Sequence, residues 1–219
     1  MFKRKMPLEK FEGLKEKLRE KRIKEAKLIK KLRKKDRRLL PSIFYVRGRS
    51  LKRYNFLFGT DISQLINKKL RQKEKISVLD VGAGKGRALL ELKKQFGNKI
   101  ITSSISLTRP KLANKKIKGT TFKAIDNVHL GRIENYKKLK KYDVIISLTG
   151  ISWSTDMTKA VKNVYNSLNV GGIAFLHLLP IQLSYVTAML NKKKIECEPC
   201  GFGIFKGIII EKKEGYKQL

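Results

Sequence analysis

The sequence predicts an α/β protein: a seven-stranded, mostly parallel sheet with helices on both faces, plus a basic N-terminal helix. Two patterns lead there. From residue 62 onward, short apolar runs alternate with amphipathic segments, and the runs are continuously apolar, as in strands covered on both faces. Residues 1–40 instead carry 18 Lys/Arg against 6 Asp/Glu, a net +12, with too few apolar side chains for a core element.

The N-terminal arm lies between Pro7 and Pro41 and is dominated by good helix formers. Glu12 with Lys15, Glu16 with Arg19 and Glu20 with Lys24 stand at helical spacing. The arm reads either as a solvated, frayed helix or as a basic helix that orders on RNA or a ribosomal surface. Residues 41–61 interleave Phe44, Tyr45, Tyr54, Phe56 and Phe58 with Arg47, Arg49, Lys52 and Arg53. That mixture suits single-stranded nucleic acid, with rings stacking on bases and cations meeting phosphates. It equally suits a helix closing one side of a ligand pocket. The expected division is therefore a basic extension over 1–40 and one folded domain over 41–219.

Within that domain, 62–71 is a short helix with Ile62, Leu65, Ile66 and Leu70 on one face. Strand 76–81, helix 87–96, strand 99–107, short helix 110–116 and strand 120–125 follow. A short helix or loop runs on to Tyr142. Strand 143–148, helix 156–168, strand 173–179 and helix 181–191 come next, and 195–205 and 207–211 read as a closing pair of strands. No internal repeat is present.

A chain of 219 residues with 41% hydrophobic content can build a core. No apolar run approaches the roughly 18 residues a membrane span needs. The N-terminus lacks an apolar signal region, and the arm has six acids and no Ser, unlike a transit peptide. A cytoplasmic protein is expected. The charge is extreme: 52 Lys/Arg against 18 Asp/Glu, a formal +34. Such a field attracts polyanions, so RNA or the ribosome is the expected partner, engaged through residues 1–58. Cys197 and Cys200 form a C-x-x-C pair, but only His129 and His177 could complete a zinc site, and both are distant in sequence. The pair reads as two reduced cysteines near a strand, and no metal is expected.

The most informative stretch is VLDVGAGKGR at residues 78–87. It follows a strand and opens a helix, the context of a nucleotide-binding loop. Glycines allow a tight turn and close approach to a ligand, and the helix start offers free N–H groups and a positive dipole end. Gly82, Gly84 and Gly86 make G-x-G-x-G, which fits neither the dinucleotide fingerprint nor a P-loop. Asp80, two residues before the first glycine, is the other mark.

On these residues the chain resembles the class I S-adenosylmethionine (SAM)-dependent methyltransferase superfamily. A later block, KKYDVIISLTGISWSTDMTKAVKNVYNSLNVGGIAFLHL, is similar to that family's, with Asp143, Ser147, Asp156, Leu168, Gly171 and Gly172 in matching positions. The resemblance implies a class I methyltransferase-like fold and SAM as cofactor. It implies that Gly82, Ala83, Gly84 and Gly86 line the methionine end of SAM, with Asp80 holding the loop and the methionyl amino group. It places Asp126, with Asn127 beside it, near the adenine amine, and Ser147, Leu148 and Thr149 near the transferred methyl. Where the family has an acid gripping the ribose at the end of the second strand, this chain has Ser104 or Ser106, weaker partners than a carboxylate.

No catalytic residue is assigned, because methyl transfer depends on positioning and water exclusion more than on an acid or base. The family tetrad for exocyclic amines is missing after the fourth strand, where Ser147 to Gly150 stand, and no cysteine lies nearby. His177 and Asp156 read as pocket groups or as structural ones, and Trp153 and Tyr142 as stacking or packing rings. The expected function is SAM-dependent methylation of ribosomal or transfer RNA. Two alternatives are a catalytically weak methyltransferase-fold factor that binds RNA or the ribosome, and a methyltransferase acting on a small molecule or a protein.

Overall fold

The structure, a computed structural model, describes residue 20 and residues 49–107, 109–117, 120–136, 140–148, 150–201 and 206–215. The rest of the basic arm, Phe44, Tyr45, Arg47 and Thr149 lie outside the described residues.

Two helices, α1 (Leu51–Phe58) and α2 (Ile62–Leu70), lead into the sheet. Ser50 caps α1 and Asp61 caps α2, each accepting from free N–H groups of the first turn. Strand β1 (Ile76–Val81) is followed by α3 (Arg87–Phe96) and β2 (Ile100–Ser106). Next come β3 (Asn114–Ile117), β4 (Thr120–Lys123) and β5 (Asn127–Leu130). Then β6 (Tyr142–Ser147), α4 (Met157–Asn166), β7 (Leu168–Leu178), α5 (Pro180–Lys192), β8 (Cys197–Cys200) and β9 (Lys206–Glu211) complete the order.

Seven strands form one sheet in the order β5-β2-β1-β6-β7-β9-β8. The first five are parallel, whereas β9 runs antiparallel to both β7 and β8. The expected sheet, with its closing antiparallel pair, is therefore present. The chain leaves β1 toward β2 and later returns to β1's other flank as β6. The crevice beyond the C-terminal ends of β1 and β6 is thus the topological switch point, where open α/β sheets bind ligands.

Continuous apolar strands bury both faces. Val78, Val144, Ile146 and Phe175 pack under α1, α2 and α3 with Leu57, Phe58, Ile62, Ile66 and Leu89. Leu79, Val81, Ile145 and Leu176 pack under α4 and α5 with Ala160, Val164, Val186 and Leu190. No helix among the described residues is long and apolar enough to cross a membrane.

One stretch departs from expectation. Residues 110–116 form no helix; Asn114–Ile117 pairs antiparallel with Thr120–Lys123 in a separate two-stranded sheet. The third parallel strand is Asn127–Leu130, pairing with Ser103–Ser106, and not 120–125. A seven-residue window is too short to hold a helix against strand pairing.

At the start of β6, toward the N-terminal edge of the sheet, Asp143 joins four segments and is only 4% exposed. Its carboxylate accepts from Ser77 N–H (2.9 Å), Ser77 Oγ (2.8 Å), Lys73 Nζ (2.6 Å) and Asn169 Nδ2 (2.9 Å). Burial by itself would raise its pKa; the hydrogen bonds from Lys73, Ser77 and Asn169 outweigh burial and hold it below the ordinary carboxylate value. The Gly171 and Gly172 pair, matched from sequence, serves a register shift between β6 and β7. A Cβ on Gly172 would stand 2.9 Å from the Tyr142 carbonyl oxygen. Cys197 and Cys200 are free thiols on β8, and burial pushes the Cys200 pKa up to about 12, so it stays protonated.

Asp143→Ala leaves the part-buried donors of Ser77 and Asn169 without their acceptor and is expected to lower the unfolding free energy by about 2 kcal/mol in chemical denaturation. Because the folded pKa is depressed, the wild-type contribution is complete above about pH 4 and disappears as pH falls through the folded value. The difference between variant and wild type should narrow accordingly.

Candidate active site

The C-terminal ends of β1, β2 and β6 bring together most of the residues singled out in the sequence. After Val81 the chain turns through Gly82, Ala83, Gly84, Lys85 and Gly86 into α3. The turn is pinned by Gly82 N–H to the Ile105 carbonyl (2.7 Å) and Gly86 N–H to the Ala83 carbonyl (2.8 Å). Gly82 has φ +84°, and a Cβ there would overlap Gly150 Cα. A Cβ on Gly150 would in turn overlap the Val81 carbonyl oxygen. The loops after β1 and β6 therefore meet backbone to backbone. Gly86 is required for packing as well: its Cβ would stand 2.8 Å from Ile125 Cδ1.

Ser147 fixes that meeting. Its hydroxyl donates to the Val81 carbonyl (2.9 Å) and accepts from Ile151 N–H (2.9 Å). Leu148 is 2% exposed and joins the core under α1. The loop beyond is held from two more sides. Gln182, fully buried, donates to the Ser152 carbonyl (2.9 Å) and accepts from Leu179 N–H (3.0 Å). Glu134, 4% exposed, accepts from Thr155 N–H (2.9 Å) and Thr155 Oγ1 (3.1 Å). Asp156 caps α4 through Lys159 N–H at 3.0 Å, a structural role. Trp153 is 42% exposed at this edge, whereas Tyr142 is buried at the opposite end of β6.

Asp80 is the electrostatic centre of the site. It is 1% exposed, and the Tyr54 hydroxyl donates across both its oxygens, at 3.0 and 3.1 Å. Tyr54 is its only hydrogen-bonding partner among the described residues. Burial pushes the Asp80 pKa up to about 7, against the opposing pull of the Tyr54 hydrogen bond. Burial, and then the Asp80 charge, raises the Tyr54 pKa, so the phenol keeps its proton. Ser104 is the register partner of Asp80 on β2, so both side chains share one sheet face. Ser104 is fully buried, and its Oγ has no hydrogen-bond partner among the described residues. Ser106 ends the same strand at the mouth of the crevice. His177 lies near the end of β7; burial, then the nearby Arg49 charge, lowers its pKa, so its imidazole is neutral at pH 7.

Asp126 and Asn127 are not at this edge. With the third parallel strand at Asn127–Leu130, Asp126 precedes that strand instead of following it. It sits level with Thr102, four residues or about 13 Å before the end of β2. There it pairs with Lys93 Nζ (2.9 Å) and accepts from Thr102 N–H (2.8 Å). Asn127 Nδ2 donates to Ser103 Oγ at 3.2 Å. Expected just after the third parallel strand, the pair instead stands at its start, with Asp126 joined to Thr102 and Lys93 and Asn127 to Ser103. Sequence reasoning had placed Tyr54 among the aromatics without seeing its partnership with Asp80. It gave no sign of Gln182 or Glu134, whose partners lie on other elements.

Two outcomes test this geometry. Gly150→Ala, which drives a Cβ into the Val81 carbonyl, should cost about 3 kcal/mol of stability in chemical denaturation. Asp80→Asn should be matched with wild type below about pH 4 and more stable than it near pH 8 by thermal unfolding. The raised folded pKa of Asp80 means that its stability contribution is lost as pH rises from about 4 through about 7.

Comparison with known proteins agrees with this arrangement. A family model described as a methyltransferase domain matches residues 51–194, from the first residue of α1 to just beyond α5. Malonyl-[acyl-carrier protein] O-methyltransferase 1 of Ilyobacter polytropus is 32% identical over 105 residues, covering 47% of this chain and 38% of that protein. The malonyl-[acyl-carrier protein] O-methyltransferase of Bacillus cereus is 25% identical over 112 residues, covering 50% and 39%. The chain thus spans about two fifths of each relative. Among solved structures, the plantazolicin methyltransferase BpumL in complex with SAH superposes with a TM-score of 0.63 at 14% identity, covering 92% of this chain and all of that one. Sheet order, switch-point glycines and the match over residues 51–194 lead to one assignment: the chain belongs to the methyltransferase-domain family of class I SAM-dependent methyltransferases.

Proposed function

We propose that the protein transfers a methyl group from SAM to an acceptor held over the C-terminal edge of the sheet. The observation that carries this reading is Asp80. It is a buried carboxylate with no cationic partner among the described residues, next to a glycine turn at the switch point. A buried charge without a counter-charge is costly, and a cationic ligand relieves the cost. The methionyl end of SAM carries such a cation. Ser104 Oγ, buried and without a partner, offers a further polar contact on the same face. The residues present therefore fit the cofactor.

Gly82, Ala83, Gly84 and Gly86 would shape the methionine side and Asp80 would hold the amino group. Ser104 and Ser106 would stand where the family places its ribose-binding acid. When bound, SAM supplies an electrophilic methyl on a sulfonium. The chain's own contribution is a rigid floor: Ser147, Gln182 and Glu134 lock the loop that faces the acceptor, which favours in-line geometry. An acceptor carboxylate or ring nitrogen attacks without first losing a proton, so a dedicated base is not required.

For the acceptor, the formal charge of +34 supports RNA, engaged in part through the basic segment before α1. A second reading, a small-molecule or carrier-protein acceptor, has its own observation. Leu107, Leu130, Trp153, Leu179 and Ile181 expose apolar surface along the loops at the sheet's C-terminal edge, and the two curated relatives are named for malonyl-[acyl-carrier protein].

Tritium transfer from methyl-labelled SAM into separated RNA, protein and small-molecule fractions decides between these. Label in the RNA fraction, with binding that weakens steeply as salt rises, is the expected result. Label confined to protein or metabolites would overturn the RNA assignment and leave methyl transfer standing. Label in none of the fractions would count against methyl transfer itself.

A further inference from the structure

Helix α1 is tied down at three points along its length. At its start, Leu51 N–H donates to Glu91 Oε2 on α3 at 2.6 Å, and Glu91's other oxygen takes Arg87 Nε at 2.8 Å. At its end, the Phe58 ring packs against Phe175 of β7 with centroids 5.6 Å apart. Between them, Tyr54 reaches through the core to Asp80. The outer anchors, with Leu51, Leu57 and Phe58 buried, hold both ends of this helix of 8 residues. The middle one sets a buried phenol against Asp80, the acid beside the glycine turn, which packing alone does not require.

We propose that Tyr54 is a positioning residue for cofactor binding: its hydroxyl, spanning both Asp80 oxygens, keeps that carboxylate ionised and aimed so that a ligand ammonium is captured at neutral pH. This inference rests on the reading of the glycine turn as the SAM site, and adds to it a residue that acts through another.

The surroundings of Asp80 leave Tyr54 alone in this role. On β2 its neighbour is Ser104, on β6 Ile146, and on its own strand Val78 shares its face. None of these carries charge. From α1 and the residue before its cap the charges are indirect: Arg49 lies close enough to act on both Tyr54 and His177, and Arg53 acts on Arg49. A carboxylate buried this completely drifts toward its neutral form, and a hydrogen bond donated to the ionised form opposes the drift. Removing the donor leaves the drift unopposed.

The test measures SAH affinity by calorimetry from pH 5.5 to 8.5 on the full chain, for wild type, Tyr54→Phe and Asp80→Asn. Wild-type affinity should fall as pH drops through about 7, where Asp80 takes up its proton. Tyr54→Phe keeps the ring and its packing but loses the donor. Its midpoint should move up by about one pH unit, which makes binding about fivefold weaker at pH 7 and within about twofold of wild type at pH 8.5. Asp80→Asn should bind weakly at every pH and show no midpoint in this range. Thermal unfolding of the three proteins reports folding separately.

A Tyr54→Phe profile parallel to wild type, displaced equally at every pH, would mean a purely structural tyrosine and would overturn the proposal while leaving the cofactor site intact. Asp80→Asn binding like wild type would remove Asp80 from the site and Tyr54 with it. A folded wild type that bound neither SAH nor SAM would overturn the cofactor reading itself, and this inference along with it.

Discussion

Backbone meets backbone at the switch point, where the loops leaving β1 and β6 touch through Gly82 and Gly150 with no side chain between them. The Ser147 hydroxyl holds the contact by bridging the Val81 carbonyl and Ile151 N–H. Much of the site follows from this. The glycine turn can enter α3 only because Gly82 takes a left-handed conformation, and the loop carrying Trp153 starts where Gly150 lets it pass. Two small residues and one hydroxyl thus set the shape of the crevice, while the apolar strands beneath supply the stability.

Three aspartates of the sheet differ in their partners. Asp143 and Asp126 lie toward the N-terminal ends of the strands, and each has a lysine and several backbone or hydroxyl donors, so each is held below the ordinary carboxylate pKa. Asp80 lies at the opposite edge, has a single phenol for a partner, and is pushed up to about 7. The same residue type is used as a structural joint in one place and left short of counter-charge in the other. In a chain with 52 Lys/Arg, a buried acid without a lysine or arginine among the described residues is an unusual economy. It fits a site whose missing charge arrives with a ligand.

The charge of the chain and the chemistry of its fold answer separate questions. Family membership rests on residues 51–194, which include the crevice and both layers of helices. The excess of lysine and arginine is spread over the whole sequence and is densest in residues 1–40, outside that match. Of the interleaved aromatics after Pro41, Tyr54 and Phe58 are 3% exposed and belong to the core, whereas Phe56 is 59% exposed with Arg53 over its ring at 5.7 Å. The reading of that segment as a packing helix therefore holds for Tyr54 and Phe58, and Phe56 lies on its surface.

What the sequence determined by itself was periodicity and the glycine turn. Strand β1 and helix α3 lie where the apolar runs put them, because a strand buried on both faces and a helix with one apolar stripe leave distinct local patterns. Asp80 and the glycines were legible because their spacing is local. The tertiary structure decided everything that depends on partners far apart in the chain. It paired Asn114–Ile117 with Thr120–Lys123, moved the third parallel strand to Asn127–Leu130, and so put Asp126 before that strand and beside Lys93. It gave Asp80 its tyrosine, 26 residues away, and Gly82 its glycine, 68 residues away. Short polar segments carry no periodic signal strong enough to fix a strand. A hydrogen bond between elements leaves no mark on the sequence of either one.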